Sequence, residues 1–108
     1  MSKVFITAAK RTAVGSFMGT LKNVPAADLG AAVIKQVLLD SKVDGAQLDE
    51  VIMGNVLSAG AGQGVARQAS IKAGVPVEVP AYGVNMVCGS GMKSVMNAYA
   101  NINAGLAD

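Results

Sequence analysis

Tyr82-Gly83-Val84-Asn85-Met86-Val87-Cys88-Gly89-Ser90-Gly91-Met92-Lys93-Ser94-Val95-Met96 is the stretch on which the reading of this 108-residue chain turns. Tyr82 to Val87 reads as a strand. From Gly89 to Asn103 the apolar residues Met92, Val95, Met96, Tyr99 and Ile102 recur in steps of 3, 1, 3 and 3, with Leu106 4 residues further on. That is the period of a helix. Upstream, Val65 to Ala73 reads as an Ala-rich helix closed by Gly74. Before it, Gly54 to Gly64 is a glycine-rich loop, and Leu48 to Val56 holds the apolar triplet Val51-Ile52-Met53, predicted as a buried strand. Ala26 to Ser41 is a further helix: Leu29, Val33, Ile34, Val37 and Leu38 share one face, and Asp28 meets the positive end of the dipole. Lys10 to Pro25 reads as a loop and Val4 to Ala9 as a short strand covered on both faces. Strand, helix, strand, helix, strand, helix predicts an α/β fold on a parallel sheet. The alternation calls for another strand after Asp108, so the chain reads as part of a larger layer.

Composition narrows the function. Apolar residues make up 52% and charged residues 15%, against about 25% charged in an ordinary soluble domain. Enough apolar surface is available to offset ordering entropy, which excludes disorder. A single Cys excludes a disulfide scaffold. No apolar run approaches the roughly 18 residues of a membrane span, and the apolar stretch after Met1-Ser2-Lys3 is too short for a signal peptide. The expected setting is the reducing cytoplasm. A net charge of +2, scattered Lys and Arg, and four aromatic residues argue against nucleic acid. The chain contains no His, the commonest general base and metal ligand near neutrality. With so few charges, part of the surface is expected to face protein.

Cys88 stands where predicted strand meets predicted helix. A thiol there sees unpaired N–H groups and the positive end of the dipole, both of which favour thiolate. A strand-to-helix turn also presents the side chain outward, the geometry of a nucleophile elbow with Cys in place of Ser. Gly89 and Gly91 leave room for a substrate carbonyl, and the N–H of Cys88 is a candidate oxyanion donor. The alternative is a buried Cys acting as a small hydrophobe. Against it, a Gly inside a helix costs about 1 kcal/mol relative to Ala, which a purely structural Cys does not require. The residues alone leave both readings open.

Asn85-Met86-Val87-Cys88-Gly89-Ser90-Gly91 closely resembles the nucleophile segment of the thiolases, the acetyl-CoA acetyltransferases and 3-ketoacyl-CoA thiolases. Lys10-Arg11-Thr12-Ala13-Val14-Gly15-Ser16-Phe17 is similar to their N-terminal signature. So are Gly54-Asn55-Val56-Leu57 and Gly62-Gln63-Gly64-Val65-Ala66-Arg67-Gln68. The resemblance spans essentially the whole chain and points to the biosynthetic, short-chain branch. It implies that residues 1–108 are the N-terminal portion of an αβαβα layered fold with a mixed, mostly parallel sheet. It also implies that Cys88 is the catalytic nucleophile, taking an acyl group from acyl-CoA; a second acetyl-CoA, deprotonated at its methyl, then attacks the acyl-enzyme. Coenzyme A thioesters would be substrates, with no separate cofactor and no metal, and the complete enzyme a homo-oligomer. The family's His and second Cys have no counterpart here, so the chain alone is expected not to turn over. The helix after Cys88 would be a central buried one.

The remaining signals point to structure. Gly60-Ala61-Gly62-Gln63-Gly64-Val65 fails the dinucleotide pattern at Val65 and lacks the acidic residue about 20 positions on. It reads as a connection for close packing. Arg67 reads either as a solvated helix residue or, by resemblance, as lying near a subunit contact. Helical spacing assigns Met92 and Met96 to the core, and the carboxylates to surface or cap positions. Two other functions compete: a ketoacyl-synthase-type condensing enzyme, and a non-catalytic interaction module.

Overall fold

The computed structural model describes residues 3–108; Met1 and Ser2 lie outside the described residues. Five principal elements follow in order: α1 (Ala26–Ser41), β1 (Val51–Gly54), α2 (Val65–Lys72), β2 (Ala81–Val84) and α3 (Ser90–Asn103), with a 3₁₀ turn at Gly45–Gln47 after α1. β1 and β2 pair in parallel, Val51 with Ala81 through to Gly54 with Val84. The crossover between them is α2, which makes this a βαβ unit. The chain is α/β, as its alternation predicts.

Side-chain alternation along β1 divides the molecule into layers. Val51 joins Ile34, Ala69, Val75 and Val79 in the buried cluster, and Met53 packs beside it. Met53 also lies within reach of Gly30 of α1, so α1 and α2 share this face of the sheet. Ile52 and Gly54 point the other way, where Ile52 lines a groove with Val95, Tyr99 and Ile102 of α3. At the α1–α2 contact, a Cβ on Gly30 would stand 3.0 Å from Cβ of Ala69. The absence of that atom lets the two helices approach closely.

Boundaries follow local chemistry. α1 spans the predicted residues and ends on Lys42 in the left-handed conformation, φ 57°. The N–H groups of Lys42 and Val43 return to the carbonyls of Leu39 and Leu38, closing the last turn. Asp44 opens the 3₁₀ turn, in a reciprocal capping box with Gln47. α2 ends near Gly74, whose φ is +87°.

Three expectations are corrected. Val4 to Ala9 is not a strand: among the described residues β1 and β2 pair only with each other, so no ladder there takes up the segment's N–H and C=O groups. Phe5 and Ile6 are largely exposed rather than covered on both faces. The third strand stops at Val84 rather than Val87, because the backbone turns over Asn85–Gly89. Met92 and Met96 are not core residues here; both are more than half exposed. The helical period is right and the face is wrong. α3 lays its smaller and polar side, including Ser90, Ser94, Ala98 and Asn101, toward the sheet, with Asn101 donating to Glu50. Its apolar stripe of Met92, Val95, Met96 and Tyr99 faces outward. No helix among the described residues is long and apolar enough to cross a membrane.

Candidate functional site

Both parallel strands deliver their C-terminal ends to the same edge, where open α/β sheets commonly bind ligands. Gly54 to Leu57 leaves β1 there and Asn85 to Cys88 leaves β2. Asn85 ties the two together, its Nδ2 donating to the carbonyl of Val56 at 3.2 Å and its Oδ1 accepting from the Val87 N–H at 3.1 Å.

Cys88 lies in the resulting turn, one residue before Gly89, the N-cap of α3, and its thiol is free and exposed. In this chain Cys88 is thus not a buried small hydrophobe. The turn is held by the Gly89 N–H on the carbonyl of Met86 (3.0 Å) and the Ser90 N–H on that of Val87 (3.1 Å). The N–H groups of Cys88, Gly91 and Met92 have no acceptor among the described residues. Such N–H groups at a helix N-terminus suit a developing negative charge.

The glycines of this region divide by role. A Cβ on Gly54 would meet the Gly91 nitrogen at 2.4 Å and Cα at 2.7 Å, so the end of β1 touches the backbone of the first turn of α3. A Cβ on Gly91 would meet nothing within 4 Å; the space beside it is open. A Cβ on Gly89 would meet only the mobile tip of Met86 at 2.6 Å and its carbonyl at 3.4 Å.

Sequence reading placed Cys88, Gly89 and Gly91 in one turn, and the structure brings them together. Gly54, Asn85 and Ser90 stand in the family-like segments, but the sequence alone assigns none of them a part in the turn. The signal for Asn85 was present in its type and place, an Asn whose side chain bonds the backbone two residues on. Nothing in the sequence marks the approach of Gly54 to α3, 36 residues away. Arg67 is partly buried rather than freely solvated. Its guanidinium donates to the carbonyls of Val79 and Val77, bracing the connection into β2. Gln68 donates to the carbonyls of Ala61 (2.8 Å) and Gln63 (3.0 Å), which fixes the glycine loop as a structural connection. No group of three or more carboxylates and Cys that could hold a metal occurs among the described residues.

These features define an α/β protein in which a parallel βαβ unit leads into a helix beside an exposed Cys, and comparison with known proteins specifies the family. The family model described as thiolase, N-terminal domain, matches residues 4–108, and the chain belongs to that family. It is 55% identical over its full length to an acetyl-CoA acetyltransferase of Pseudomonas aeruginosa and 56% identical to one of Cupriavidus necator, covering 28% of each. It is also similar to the crystal structure of the Acat5 thiolase from Ascaris suum in complex with coenzyme A, with a TM-score of 0.83 and 39% identity over 86% of this chain and 24% of that one. The chain thus spans about a quarter of the length of the relatives it matches.

Proposed function

We propose that this chain supplies the nucleophilic half of a thiolase that condenses two molecules of acetyl-CoA to acetoacetyl-CoA in the reducing cytoplasm. The observation that carries this reading is the exposed Cys88 thiol at the start of α3, on the C-terminal edge of the parallel strands. The Cys88 thiolate attacks the thioester carbonyl of acetyl-CoA; the carbon–sulfur bond to coenzyme A breaks, and coenzyme A leaves as its thiolate. The acetyl group then sits on Cys88 as a thioester of similar energy, so the step is reversible. The free Cys88 N–H is the proposed donor to the oxyanion of this step, and the open space beside Gly91 admits the carbonyl. A second acetyl-CoA loses a methyl proton, and its carbanion attacks the acetyl carbonyl and returns the Cys88 thiolate. The base for that proton is not in this chain, which has no His and no second Cys. Residues outside 1–108 would supply it in a homo-oligomeric enzyme.

The test is a chimera in which residues 1–108 replace the matched quarter of the Cupriavidus necator enzyme. Condensation and acetylation of Cys88, both abolished by Cys88→Ala, are the expected results. A folded chimera that never acetylates Cys88 would overturn the proposal. Acetylation from acyl carrier protein alone would favour the ketoacyl-synthase reading.

A further inference from the structure

We infer that Ser90 is the positioning residue for the Cys88 thiol, its buried hydroxyl holding Val87 in the left-handed backbone conformation that sets where Cys88 projects. The inference rests on the acyl-transfer reading above and assigns a new part to the same turn. Val87 has φ 47°, whereas Cys88 does not share the left-handed region. With the Gly89 N–H on the Met86 carbonyl, this is the sign pattern of a type II′ turn, whose first central position ordinarily takes glycine. A β-branched residue there is strained and persists only where its surroundings over-determine it.

Those surroundings are identifiable. Ser90 is 4% exposed. Its Oγ accepts from the Met86 N–H at 2.9 Å and donates to the Val87 carbonyl at 2.6 Å, which uses the single hydroxyl proton and an acceptor site at once. The Asn85 carbonyl oxygen takes the remaining Val87 N–H. Both backbone groups of Val87 and the N–H before it are thus held by two side chains. Val87 is itself 65% exposed, so its strained backbone is no by-product of burying its side chain. Its consequence is the placement of the next residue, Cys88, against the N-terminal turn of α3.

The test uses the 108-residue chain and the second-order rate of iodoacetamide alkylation at neutral pH, with far-ultraviolet circular dichroism as the check on folding. Ser90→Ala is expected to slow alkylation roughly fivefold, the size of one charge interaction with a helix terminus. Ser90→Thr, which keeps the hydroxyl, should restore the rate. Val87→Gly, which adopts positive φ freely, should alkylate at the original rate with a raised melting temperature. A folded Ser90→Ala chain with the original rate would overturn the inference, as would a Ser90→Thr chain slowed as much as Ser90→Ala. Should Ser90→Ala not fold, a lowered melting temperature in Val87→Gly overturns it. Failure of the Cupriavidus necator chimera to take an acetyl group on Cys88 tells against the acyl-transfer reading alone, because the alkylation ratios of the 108-residue chain still decide the role of Ser90.

Discussion

Arg67 and Asp40 show how single charged groups hold this chain without a buried ion pair. The guanidinium of Arg67 serves two backbone carbonyls of the α2–β2 connection, and hydrogen bonds from charged donors each contribute about 1.5–3 kcal/mol. Arg67→Ala is expected to lower stability by about 3 kcal/mol, the low end for two such bonds because one of them is exposed, read as a shift in the urea midpoint. Asp40 accepts from Gln36 at 2.8 Å and pairs with Lys10 at 3.0 Å, tethering the N-terminal segment to α1. The Gln36 hydrogen bond first, and Lys10 second, hold its carboxyl below the ordinary value of 3.8. Because the folded state binds this proton less readily than the unfolded state, Asp40 stabilises the fold above that value. The contribution is lost as pH falls through the depressed value. An NMR titration of Asp40 should report the low value, and Gln36→Ala should move it back toward 3.8.

At the level of elements, the contact between β1 and α3 decides the geometry of the reactive turn. Gly54→Ala drives a Cβ into the backbone of Gly91 and is expected to cost about 1–3 kcal/mol, the usual penalty of overpacking. Gly91→Ala meets no neighbour. It should leave stability unchanged or raise it by up to about 1 kcal/mol through helix propensity, while slowing acetylation of Cys88 by acetyl-CoA. Denaturant titration together with intact-mass kinetics separates the two. This contrast also explains what was legible in the sequence. The apolar period of α1, the Gly74 stop of α2 and the junction at Cys88 are local signals, and each falls within a residue or two of its predicted place. Two features were not legible because they depend on distant partners. Val4 to Ala9 has the composition of a strand, but strand structure is a property of pairs. The stripe of α3 has a helical period, but period does not say which side docks. The close approach of Gly54 requires small residues on the docking side, and that turns Met92 and Met96 outward.

The whole molecule carries more surface than its mass warrants. Its accessible area is 7475 Å², against about 5,500 Å² for a compact monomer of this size. The excess is rich in apolar side chains: Phe5, Ile6, Met92, Val95, Met96 and Tyr99 each leave about half or more of their area open. Contiguous exposure of this kind marks surface suited to protein contact, in keeping with the low charge content. The isolated chain is therefore expected to associate as its concentration rises, read as increasing mass by light scattering, and Met92→Lys with Met96→Glu should reduce the part that runs through α3. The two-stranded sheet offers a second route to association. Among the described residues each strand has hydrogen-bonded only one flank, and the vacant flanks of the pair lie on opposite sides. Pairing at one flank leaves the other vacant, so a joined pair still offers an edge to the next copy. Scattering should accordingly climb towards polydisperse filaments rather than settle at a dimer.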